Sequence, residues 1–143
     1  MIKTIEDRCR EYMTNASNPW RLKTRGSLTS REASFILKAF GKMSHILDAG
    51  GGTGFHIHEA LKGHDSDIVV FDQDQNLLDH GKEQYPHSTF VQGSCLKLPF
   101  DEDSFEGVLI RANLLYFSDK IAYLKEVARV LKPGGGYCHN RSE

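Results

Sequence analysis

Ile46-Leu-Asp48-Ala-Gly50-Gly-Gly52-Thr-Gly54 decides how this 143-residue chain folds. An apolar pair runs into a cluster of glycines, and beyond it Ile57, Ala60 and Leu61 share one helical face until Gly63. That order, strand then glycine turn then helix, opens a βαβ unit. Glycine at such a turn lets the backbone bend tightly and approach a ligand closely. The start of the helix beyond it offers N–H groups with no intrahelical partner.

The same alternation continues outward. Ile68-Val-Val-Phe71 is apolar throughout, as a strand covered on both faces must be. Leu77, Leu78, Gly81 and Tyr85 mark a helix that Pro86 ends. Thr89–Gln92 and Val108–Ile110 read as the third and fourth strands, followed by a helix whose expected apolar face is Ile121, Leu124, Ala128 and Leu131. Lys132-Pro-Gly-Gly135 is a turn. On the other side, Thr29-Ser-Arg-Glu32 fits a capping box ahead of Ala33, Ile36, Leu37 and Phe40, with Gly41 as the stop. Ile2, Ile5, Cys9, Tyr12 and Met13 suggest a further helix over 2–13, and a polar loop containing Trp20 follows. Strands alternating with helices through short connections predict an α/β fold: a Rossmann-like parallel sheet with helices on both faces. Two segments are expected: an N-terminal helix and loop over 1–28 that either covers a pocket or only packs, and a partial Rossmann-like, nucleoside-binding domain over 29–143.

Two acids give the glycine turn its chemistry. Asp72 closes the second strand about twenty residues past the first glycine, where a carboxylate accepts the two hydrogen bonds of a ribose diol. Asp48 precedes the cluster, and the glycines are spaced GxGxG. The dinucleotide fingerprint GxGxxG would need glycine at position 55, which is Phe55. A carboxylate beside the loop repels a pyrophosphate but suits a ligand that carries an ammonium and a sulfonium. This logic favours S-adenosyl-L-methionine (SAM) over a nicotinamide dinucleotide.

Here the chain resembles the class I SAM-dependent methyltransferases. The stretch 46–54 is similar to their first motif, and Val70-Phe-Asp72 with Gln75-Asn-Leu77-Leu78 to their acidic second motif. Phe90-Val-Gln-Gly93-Ser-Cys95-Leu-Lys-Leu98-Pro99-Phe100 and Asp103-Ser-Phe105-Glu106 resemble the third and fourth strands of the small-molecule "methyltransferase 11" branch. The stretch from Ala122 to Gly135 resembles the helix and turn before the fifth strand. The resemblance implies that Gly50, Gly52 and Gly54 line the methionine and ribose of SAM, and that Asp48 organises the loop and the cofactor's ammonium. It places Asp72 on the ribose hydroxyls and Gln73 beside the adenine face. Ser94 and Cys95 fall at the adenine edge, and Arg111 at the sulfonium end and substrate entrance. Relatives often carry an acid where this chain has Ser94, so Asp101 or Asp103 is a candidate to share that contact. The implied activity is transfer of a methyl group from SAM to a small molecule. No residue stands out as a catalytic base. The alternatives are a catalytically incomplete SAM-binding or interaction module and an NAD-type oxidoreductase fragment.

Composition narrows the partners. Lys plus Arg total 18 against 19 Asp plus Glu, a net charge of −1, which argues against a phosphate backbone as the main ligand. Cys9, Cys95 and Cys138 are scattered and odd in number, so neither a disulfide framework nor a metal site is indicated. The seven histidines are scattered too, and each reads as a solvated or capping residue. Tyr116 and Phe117 either shape a substrate mouth or only pack. No run approaches the roughly 20 apolar residues of a membrane-spanning helix, and the N-terminus lacks a signal-peptide core, so a cytoplasmic location is expected. The last residues, Tyr137-Cys-His-Asn-Arg-Ser-Glu143, offer little apolar material for a fifth strand. The expectation is therefore a truncated sheet lacking its C-terminal strands. Its fourth strand would be exposed at one edge and available for pairing with a second chain or for homodimerisation.

Overall fold

The computed structural model describes residues 28–111 and 117–140. The helix expected over 2–13, Cys9, Trp20, Tyr116 and all but the last residue of the 1–28 segment lie outside them. The elements, in chain order, are α1 (Ser30–Phe40), β1 (His45–Ala49), α2 (Phe55–Ala60), β2 (Asp67–Asp72), α3 (Gln75–Gln84), β3 (Thr89–Gln92), β4 (Phe105–Arg111), α4 (Lys120–Val130) and β5 (Leu131–Asn140). The five strands form one parallel sheet in the order β3-β2-β1-β4-β5.

The helix ends follow the side chains available there. Thr29 is extended and its Oγ1 accepts from Glu32 N at 3.1 Å, which caps α1, while its hydroxyl donates to Glu32 Oε1 at 3.5 Å. Asp74 caps α3 by accepting from Asn76 N and Leu77 N, and Asp119 caps α4 by accepting from Ala122 N. By contrast, α2 starts at Gly54 with no side-chain cap.

Alternation along the strands divides the core into two layers. Leu47, Ala49, Val69, Phe71, Val108 and Ile110 face α4 and the 95–98 segment, where Tyr123, Val127, Val130, Cys95 and Leu98 are buried. Ile46, Ile68, Val70 and Leu109 face the other way, against Ile36 and Phe40 of α1, Ile57 of α2 and Leu78 of α3. Each such side chain contributes roughly 1.5–3 kcal/mol on leaving water. Phe105 breaks the alternation. It sits in the same layer as Val108, because the register between β4 and β5 shifts between Phe105 and Gly107.

Two expectations are corrected. The fourth strand is not an edge: β5 runs parallel to it from Gly107↔Gly136 to Arg111↔Asn140, so β4 is paired on both sides. Backbone hydrogen bonding needs no apolar side chains, which is why the polar stretch after Gly136 still enters the sheet. The buried face of α4 is Tyr123, Val127 and Val130; of the expected stripe, Leu124 and Leu131 pack against this core, whereas Ile121 is 68% exposed and Ala128 lies at the surface. Both stripes have helical spacing, and the larger Tyr123 faces the sheet.

Gly81 shows how closely α3 approaches the glycine turn. A Cβ there would stand 2.4 Å from the Thr53 carbonyl oxygen and 2.5 Å from Phe90 Cε1. Alanine in a helix interior ordinarily gains about 1 kcal/mol over glycine. Backbone cannot withdraw as a side chain tip can, and overpacking costs about 1–3 kcal/mol. Gly81→Ala is therefore expected to lower stability by up to about 2 kcal/mol net. A urea midpoint above the parent's would contradict the close approach.

Candidate functional site

Parallel strands carry their C-terminal ends to one rim of the sheet, and the glycine turn lies there between β1 and α2. Gly50, Gly52 and Gly54 all adopt positive φ, at 68°, 62° and 74°, so the turn alternates through conformations that side chains resist. Gly50 N and Gly51 N both donate to the Phe71 carbonyl, at 2.7 and 3.1 Å, which pins the turn to the end of β2. Gly54 N donates back to Gly51 O at 2.9 Å. Gly51 is required for another reason. A Cβ on it would stand 2.2 Å from Asp48 Oδ2, so the Asp48 carboxylate lies directly against the turn.

Asp72 ties three segments together. Its Oδ2 accepts from Gly52 N and its Oδ1 from Asp74 N, both at 2.9 Å, while its carbonyl accepts from Gly93 N at 3.0 Å. One residue thus joins the glycine turn, the start of α3 and the end of β3. Asp72 is 1% exposed and Asp48 3% exposed. Two acidic side chains are thus buried at this rim, a setting that disfavours a phosphate more than a cation.

The other residues singled out from the sequence fall at the same rim, with different exposures. Cys95 is buried beneath it, and Tyr123 and Gly50 N are directed at its sulfur. Burial, more than the nearby Asp72 and Asp48 carboxylates, pushes the thiol up to about 12, so it remains protonated and unreactive. Ser94 is exposed, and its hydroxyl accepts from Leu96 N at 3.2 Å. Gln73 is exposed, with its carbonyl held by Gln92 Nε2 at 3.1 Å. Arg111 is the last residue of β4, one step beyond the Ala49↔Ile110 pair. Asp101 and Asp103 do not join the site. They precede β4 at the opposite rim, where Asp103 N donates to Arg129 O, and they are exposed.

Sequence reasoning missed several supports. Arg129 donates to the Leu98 and Phe100 carbonyls at 2.9 and 2.8 Å and pairs with Glu126 at 2.6 Å. Glu126 in turn accepts from Leu98 N at 2.9 Å, so α4 clamps the segment that follows Cys95. The i,i+3 spacing of Glu126 and Arg129 was a signal for the pair, though not for the carbonyls it holds. Phe117 packs edge-on to Tyr123, with centroids 4.8 Å apart. His58, read as a bland histidine, has both ring nitrogens engaged: Nδ1 at 2.6 Å from Gly54 O and Nε2 at 2.6 Å from Ser88 Oγ. Among the described residues no group of His, Cys, Asp and Glu could hold a metal ion, and no helix is long and apolar enough to cross a membrane.

Residues 46–135 match the family described as "Methyltransferase domain". The chain belongs to the class I SAM-dependent methyltransferases. It is 30% identical to the demethylmenaquinone methyltransferase of Lactococcus lactis, over 94% of this chain and 58% of that one. It is 38% identical to the Staphylococcus haemolyticus enzyme of the same name, over 64% of this chain and 41% of that one. The PH0226 protein of Pyrococcus horikoshii shares the fold at a TM-score of 0.70 and 21% identity, covering 91% of this chain and 62% of that one. The chain spans about half the length of the curated relatives it matches.

His58 titrates below its ordinary value, mainly through burial, with the Gly54 carbonyl and Glu59 acting against the shift. In the unfolded chain a histidine titrates near 6.5. Below about that pH the unfolded state binds this proton more readily, so the stabilisation is complete above about 6.5 and is lost as pH falls toward the lower folded value. The loss of thermal stability between about pH 7 and 5 should therefore be smaller in His58→Asn than in the parent. Parallel pH profiles for the two proteins would refute a neutral, buried His58.

Proposed function

We propose that the glycine turn and its two acids bind SAM, and that the chain serves methyl transfer from SAM to a small-molecule acceptor. The observation that carries this reading is the pair of buried carboxylates flanking a turn of three left-handed glycines. A cofactor bearing an ammonium and a sulfonium suits that setting better than a dinucleotide's pyrophosphate does. On Gly54 a Cβ would meet Val70 Cγ2 at 2.8 Å and His58 Nδ1 at 2.9 Å, so glycine at this position lets the turn pack closely against β2 and α2.

In this reading Gly50, Gly52 and Gly54 line the methionine and ribose, and Asp48 holds the turn and the ammonium. Asp72 accepts from the ribose hydroxyls. Gln73, Ser94 and the backbone of Cys95 border the adenine, and Arg111 stands at the acceptor's entrance. Bound SAM supplies a methyl carbon already activated by a positive sulfur. The chain's own residues therefore need to align the acceptor and exclude water more than to move a proton. A small-molecule acceptor is supported by the demethylmenaquinone methyltransferases among the relatives. A cytoplasmic location is supported by the free thiol of Cys95.

Calorimetric titration with SAM, S-adenosylhomocysteine and NAD tests the cofactor assignment. Heat with the two sulfur compounds and none with NAD is expected, and the reverse pattern would overturn the reading. Asp72→Ala is expected to weaken SAM binding by about 1–3 kcal/mol, the range for hydrogen bonds to a charged group. An unchanged affinity would remove Asp72 from the ribose. A panel of small-molecule acceptors with methyl-labelled SAM tests transfer separately from binding, and binding without transfer would favour a SAM-binding module.

A further inference from the structure

The turn is held from below as well as from Asp72. Helix α2 begins at Gly54 without a side-chain cap, and it is only six residues long. Its first carbonyl, Gly54 O, accepts twice: from His58 N at 3.1 Å and from the His58 ring at Nδ1, 2.6 Å away. A carbonyl can only accept, so Nδ1 carries the proton. In the neutral ring Nε2 is then an acceptor, and the Ser88 hydroxyl donates to it across 2.6 Å.

The ring has little freedom to turn. It stacks on Tyr85 with centroids 4.0 Å apart and planes 8° apart, and Phe90 lies beyond at 6.3 Å. Tyr85 is itself fixed by donating to Glu59 at 3.0 Å. Glu59 is the acid facing this cluster from α2, and Lys62 and His64 line the same hollow of about 460 Å³. His58 therefore connects the end of the glycine turn to the α3–β3 connection, through contacts that lie off the proposed cofactor surface.

We propose that His58 is a positioning residue for the cofactor turn: its imidazole fixes the Gly54 carbonyl, and with it the left-handed residue that closes the turn. The proposal rests on the reading of that turn as the SAM site, and it predicts an effect on cofactor affinity rather than on the methyl-transfer step.

Three variants and two readouts test it. His58→Phe keeps the stack on Tyr85 but removes both hydrogen bonds. His58→Asn retains a donor able to reach the carbonyl four residues back. Ser88→Ala removes the anchor and leaves the ring in place. Titration with S-adenosylhomocysteine is expected to show His58→Phe binding about tenfold more weakly, the scale of one well-placed hydrogen bond, with His58→Asn within about threefold of the parent. Ser88→Ala is expected to shift affinity in the same direction as His58→Phe, and it keeps the test decisive should that variant fail to fold. Amide hydrogen exchange is the second readout, and it needs no cofactor. Exchange over residues 52–58 should accelerate in His58→Phe and Ser88→Ala, with α4 unchanged. Parent-like exchange in both variants would overturn the positioning role. A parent that binds no S-adenosylhomocysteine would overturn the cofactor reading instead, and the exchange data would still decide what His58 does.

Discussion

The Asp72 carboxylate is the constraint on which the rim of this sheet depends. It is almost fully buried, and a buried carboxylate is tolerated only when hydrogen-bond donors replace water. Gly52 N and Asp74 N are such donors, and they belong to different segments. Satisfying one charge therefore fixes the glycine turn against the start of α3. Asp74 then passes the constraint on by capping α3, so the helix direction follows from the same acid. Gly81, further along α3, completes the arrangement, since only a residue without Cβ lets that helix pass the Thr53 carbonyl.

What could be read from the chain was what local chemistry dictates. The apolar run Ile68–Phe71, the Thr29 N-cap and the glycine turn each specify their element alone, and each was found in place. Asp48, Asp72 and the three glycines form one cluster because the order strand, turn, helix, strand brings them to one rim. Face assignment was harder. In α4 two stripes have helical spacing, and the choice of Tyr123, Val127 and Val130 depends on what the sheet offers opposite them. Strand β5 was missed because its pairing rests on backbone hydrogen bonds, while the sequence shows only side chains. The hydrogen bonds of Arg129 to Leu98 O and Phe100 O, and of His58 to Ser88, link residues some thirty positions apart. No periodicity carries that information.

The electrostatics of the rim explain why the GxGxG spacing and the acids belong together. A phosphate-binding loop works by aiming N–H groups outward at an anion. In this turn Gly50 N, Gly51 N, Gly52 N and Gly54 N all donate inward, to Phe71 O, to Asp72 and to Gly51 O. The donors that would hold a pyrophosphate are thus consumed in shaping the turn. The two acids buried beside the turn add carboxyl oxygens to its underside, an environment that suits a cation better than an anion. The sequence argument against a dinucleotide, made from Phe55 and Asp48, has its physical basis in the direction of these four N–H groups.

The turn is also held at both of its ends by side chains that are themselves immobilised. Asp72 is fixed by burial at one end, and His58 is fixed by Tyr85 and Ser88 at the other. A flexible glycine-rich segment would lose conformational entropy on closing around a ligand, since glycine has more freedom to lose than any other residue. Fixing the segment in the free protein moves that cost from binding to folding, where the whole core offsets it. Affinity then reflects contacts more than loop ordering. The two supports act on different residues of the turn, Gly52 N and Gly54 O, so loss of one leaves the other in place and reduces preorganisation in part.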